Sequence, residues 1–118
     1  MIDHVAIPVS DLAASRSFYE PLLDALGAKV MMEWPGGVLF GTGDGMVALR
    51  ESELVAPIHV AFKADRPGVE SFYEAAIAGG AADNGPPGIR AEYHENYYAA
   101  FVIDPNGHNV EAVCHLPA

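Results

Sequence analysis

The sequence holds a single cysteine, Cys114, a single tryptophan, Trp34, and six basic residues against sixteen acidic ones. One cysteine excludes an internal disulfide and fits a reducing compartment. The shortage of cations leaves a formal charge of −10. That charge repels phosphate backbones over a screening length of about 8 Å and argues against nucleic acid as a partner. The same field attracts cationic ligands, divalent metals among them. No apolar run approaches the roughly 20 residues that a membrane span needs, and no basic segment leads into an apolar one near Met1, so the expectation is a cytoplasmic protein with no membrane partner. What is present is globular in composition, with 51% apolar and 19% charged residues. At 118 residues the chain is expected to fold as one domain and to bury roughly two-thirds of its unfolded surface.

The sequence repeats itself. Asp3-His4-Val5-Ala6-Ile7 returns as Ile58-His59-Val60-Ala61-Phe62, and each run is followed by Ser-Phe-Tyr-Glu, at Ser17 to Glu20 and at Ser71 to Glu74. Two copies of one supersecondary unit are implied, module one over 1–52 and module two over 58–116. In the first, residues 2 to 9 read as a buried strand, and Ser10 or Asp11 caps a helix whose apolar face is Leu12, Tyr19, Leu22, Leu23 and Leu26. Pro21 lies inside that helix and predicts a kink or a break there. Strands are expected at Val30 to Trp34, Val38 to Gly41 and Met46 to Arg50, separated by glycine-rich turns. In the second copy Asp65 and Pro67 open a helix that Gly79-Gly80 closes. The stretch Gly79 to Gly88, with Asn84-Gly85 and Pro86-Pro87-Gly88, reads as an irregular loop. Strands follow at Ile89 to His94, Tyr98 to Ile103 and His108 to His115, the last two joined by an Asp104-Pro105-Asn106-Gly107 turn. Each unit is β-α-β-β-β.

Glu111 is an acidic residue inside the apolar run Val110 to Val113. A carboxylate buried there is costly unless it is paired or bound to metal. His4 and His59, on the first strands of equivalent modules, add two imidazole nitrogens. The set suits a divalent cation with positions left open for water or substrate.

The paired modules, the His-Val-Ala openings and the closing Asp-Pro-Asn-Gly-His-Asn-Val-Glu-Ala-Val together resemble the vicinal oxygen chelate superfamily, which includes glyoxalase I, bleomycin-resistance proteins, fosfomycin-resistance enzymes and extradiol dioxygenases. The resemblance implies an α+β fold in which two β-α-β-β-β modules form a curved eight-stranded mixed sheet around a cavity. It also implies one divalent metal ion (Fe, Mn, Ni, Zn or Mg) on His4, His59 and Glu111, and a homodimer whose paired modules come from one chain or are exchanged between two. The activity implied is lyase, isomerase or dioxygenase chemistry on a small substrate with vicinal oxygens. The alternative is a non-catalytic protein that sequesters a drug or metabolite. In module one the position that matches Glu111 is Ala48, which binds no metal, and Glu51 has the opposite strand parity. His94, Tyr97 and Tyr98 are the candidate acid-base residues. Arg50 and Arg90 are candidates for holding an anionic group of the substrate, with Trp34 on the cavity wall. His108, beside a turn, is expected to be solvated, and His115 to be structural.

Overall fold

A computed structural model describes all 118 residues. The order is β1 (His4–Val9), α1 (Leu12–Asp24), β2 (Lys29–Trp34), β3 (Gly37–Gly41), β4 (Met46–Glu51), β5 (His59–Lys63), α2 (Arg66–Ala78), β6 (Ala82–Ile89), β7 (Tyr98–Ile103) and β8 (Asn109–Cys114). The strands form two four-stranded sheets, β1-β4-β3-β2 and β5-β8-β7-β6, each with one parallel pair and two antiparallel pairs. The α+β class and the twofold β-α-β-β-β plan follow the sequence. The eight strands do not form one sheet closed around a cavity, because no strand of one module pairs with a strand of the other.

The helices start where the sequence provides caps. Asp11 accepts from the Ala14 N–H at 3.1 Å and Asp65 from the Gly68 N–H at 2.8 Å, filling donors that a helix N-terminus leaves open. Alpha1 runs unbroken through Pro21. Pro21 removes only the bond to the Ser17 carbonyl, and the Leu22 and Leu23 side chains that follow it are buried, which holds the last turn in place. Gly27 (φ 83°) then allows the Ala28 N–H to return to the Leu23 carbonyl at 2.9 Å. Beyond α2 the expected loop is instead the edge strand β6, with register shifts around Gly85 that absorb the irregular sequence. Prolines are tolerated on an edge because the missing N–H has no ladder partner to lose. The strand expected at Ile89 to His94 is displaced by β6 and becomes the turns of residues 91–97.

One apolar cluster fills the space between the sheets and the helices: Ile7, Val9, Val47 and Leu49 meet α1, while Val102, Val110 and Ala112 lie on the α2 side. The helices pack on each other and join the modules. A polar clasp supports this joint. The Tyr19 hydroxyl donates to Asp104 Oδ2 at 2.6 Å, and Asp104 Oδ1 accepts the N–H groups of Asn106 and His108 at 2.8 Å each. His108 Nδ1 accepts the Ile58 N–H at 3.0 Å, which leaves Nε2–H to donate to the Pro8 carbonyl at 2.7 Å. His108 is therefore fully buried rather than solvated. The sequence marked Asp104 to Gly107 as a turn, and the turn also fastens module two to module one.

Candidate functional site

Strand alternation sends one face of each sheet to the helices and the other outward. On the outward face the register makes the two modules equivalent. His4 pairs Met46 and Ala6 pairs Ala48 in module one; His59 pairs Asn109 and Ala61 pairs Glu111 in module two. Ala48 thus occupies in module one the place of Glu111, and Leu39 the place of Phe101. Glu51 does not fill the gap, since its Oε2 accepts the Leu12 N–H at 3.1 Å.

His59 and Glu111 are brought together, with Nε2 2.9 Å from Oε1. His59 Nδ1 lies 3.1 Å from the Asn109 carbonyl oxygen, an atom that only accepts, so Nδ1 carries the proton of the neutral ring. Nε2 then presents a lone pair to a carboxylate that is 1% exposed. Two acceptors at that distance require a proton between them, on the imidazole or on the carboxyl, or a shared cation. The other carboxylate oxygen, Oε2, accepts from the Tyr97 hydroxyl. Burial first, and then this hydrogen bond, pushes the Tyr97 phenol up to about 12, so near neutrality Tyr97 is a proton donor. Phe101 stacks on the His59 ring at 6.3 Å.

His4 is exposed, its Nδ1 lying 2.7 Å from Asp3 Oδ1 and its Nε2 left free. It belongs to the other sheet, however. No group of three His, Cys, Asp or Glu residues that could hold a metal ion forms within one chain. A single chain thus presents two of the three proposed ligands in contact and the third elsewhere.

The remaining candidates divide by position. Tyr98 is on the helix side of β7, where its hydroxyl donates to Glu70 at 2.8 Å under the Arg66 guanidinium, so it does not join the site. His94 is exposed and meets His115, Nε2 to Nδ1 at 2.9 Å, while its ring sits edge-on to Tyr97. Arg90 donates to the Pro86 carbonyl at 2.7 Å and lies over Phe101, on the same face as Glu111. Arg50 and Trp34 line an open hollow of about 380 Å³ on the outward face of module one, together with His4 and Ala48.

A model of the Glyoxalase/Bleomycin resistance protein/Dioxygenase superfamily matches residues 1–112. The chain belongs to this superfamily. Among solved structures, this superfamily member is similar to a glyoxalase/bleomycin resistance protein from Albidiferax ferrireducens T118, with 26% identity, 99% of each chain covered and a TM-score of 0.83. Two more distant likenesses show the shared fold alone. One is a glyoxalase/bleomycin resistance protein/dioxygenase family enzyme from Burkholderia phytofirmans PsJN, at 22% identity over 97% of this chain and 98% of that one, with a TM-score of 0.75. The other is the fosfomycin resistance protein FosX from Mesorhizobium loti, at 22% identity over 97% and 91%, with a TM-score of 0.72. No curated protein matches the chain.

Proposed function

We propose that this superfamily member is a divalent-metal-dependent enzyme acting on a small substrate with adjacent oxygens, by lyase, isomerase or dioxygenase chemistry. We infer further that it works as a homodimer, each centre combining His4 of one copy with His59 and Glu111 of the other. The observation that carries the reading is the buried Glu111 carboxylate facing Nε2 of His59 at 2.9 Å. Donors at this separation can sit side by side on one ion, and two imidazoles with one carboxylate suit Fe, Mn, Ni, Zn or Mg in differing degrees. Assembly between copies is supported by β2, an edge strand that is exposed along its whole length.

A divalent ion held there would supply Lewis acidity to two neighbouring substrate oxygens. The protein's own residues do the rest. Tyr97 fixes the orientation of Glu111 and keeps a proton beside it. Asp3 and the Asn109 carbonyl hold the two imidazoles with Nε2 presented. His94, paired with His115 and edge-on to Tyr97, is the candidate base.

The test is metal analysis of protein purified without chelator. Stoichiometric metal that is lost in His59→Ala and in Glu111→Ala is expected. Protein that takes up no metal under any loading condition would instead support a sequestering role.

A further inference from the structure

Module one carries a trough of which the metal reading uses only His4. Its rows follow from the register: His4 with Met46 at one end, Ala6, Ala48, Leu39 and Met32 in the middle, and Pro8, Arg50, Gly37 and Trp34 at the other. The end rows are four residues apart along β1, about 13 Å. The middle row is shallow in side chain because Ala6 and Ala48 stop at a methyl, Ala48 standing where module two has its carboxylate. At the far end Gly37 leaves room for the Trp34 indole to fold over it; a Cβ there would lie 2.3 Å from the ring. The indole thus forms an aromatic wall in the same row as Arg50.

Charge in the trough is separated by position. Asp3 and His4 mark one end and Arg50 the other. The chain's ion pairs employ Arg16, Lys29, His4 and His59 and leave Arg50 free. Glu51 borders the adjoining hollow, but its Oε2 is taken by the Leu12 N–H. Arg50 thus stands without a carboxylate partner at the end of an apolar floor.

We propose that the substrate is an elongated amphipathic anion: its apolar, flat body lies over Ala48 and Leu39 against Trp34, and a carboxylate at its far end bonds Arg50. This rests on the site reading above only for which end of the molecule reacts. Ala48, Gly37 and Arg50 then set specificity, the first two by space and the third by charge.

Trp34 is the single tryptophan, so its emission reports on the trough directly. Chelator-treated full-length protein is titrated with phenylbutyrate, phenylbutanol and phenylbutylamine. A saturable change with phenylbutyrate is expected, about tenfold tighter than with the alcohol, as one charge-assisted contact supplies. Arg50→Gln should bring acid and alcohol to equal affinity, and this exposed substitution should leave the fold intact. Equal binding of acid and alcohol by the wild type, preference for the amine, or an acid preference that survives in Arg50→Gln would overturn the proposal. The titration is made on metal-free protein, so its outcome does not depend on whether His4, His59 and Glu111 hold a metal ion, and the two readings fail separately.

Discussion

Glu111 is one of four buried polar or charged side chains; the others are Ser15, Asp104 and His108. Those three lie in the clasp between modules, where each finds neutral partners. Glu111 alone faces outward to His59 and Tyr97. Replacing Tyr97 by Phe removes the hydrogen bond that orients the carboxylate, and outer partners of this kind typically alter metal affinity by about 10–100-fold. If Glu111 holds the proposed metal ion, a loss in that range by calorimetric titration is expected for Tyr97→Phe; unchanged affinity would show that Tyr97 does not position Glu111. The tyrosines also differ in titration. Burial, then Asp104, raises Tyr19 far above the ordinary phenol value, and Tyr97 is pushed up to about 12. Because the folded-state value of Tyr97 is the higher, its contribution to stability is complete below about pH 10 and is lost as pH rises through about 12. Ultraviolet titration of tyrosinate should therefore show late-ionising groups, with one fewer in Tyr97→Phe.

At the scale of the element, Pro21 and β6 are instructive. Periodicity and capping made α1 and α2 legible, but local rules overstate the damage a proline does when the residues after it are buried. The lost bond to Ser17 remains a cost, so Pro21→Ala should stabilise the fold by about 1–3 kcal/mol in urea denaturation. A loss of stability would mean that the rigidity of proline in the unfolded chain outweighs the bond. Beta6 was illegible for a related reason. Asn84-Gly85-Pro86-Pro87-Gly88 has loop composition, and only the neighbouring β7 ladder supplies the bonds that make it a strand. That shift also moved residues 91–97 out of the sheet, while the register of β7 sets Tyr98 opposite Cys114 and Tyr97 reaches Glu111.

At the scale of the molecule, two modules meet through helices and a clasp while their outward faces stay apart. His108→Ala would leave the Ile58 N–H and the Pro8 carbonyl without partners, each at roughly 1–3 kcal/mol. A loss of about 3 kcal/mol in denaturation is expected, with little change if water fills the site. Exchange of modules between copies is tested by co-expressing His4→Ala with Glu111→Ala. Neither homodimer should bind metal, whereas each heterodimer contains one intact centre. Failure of co-expression to restore binding would reject assembly between copies.

The repeat, the placement of His4 and His59 on equivalent strands, and the gap at Ala48 where module two has Glu111 are all determined by the sequence, because a strand's alternation fixes which residues share a face once the strand is known. Partnership is another matter. That His59 and Glu111 touch while His4 lies on the other sheet, that Glu51 turns to a helix end, and that the closing turn holds the modules together depend on packing between segments distant in the chain. No local spacing carries that information; it is decided only when the two sheets settle against their helices.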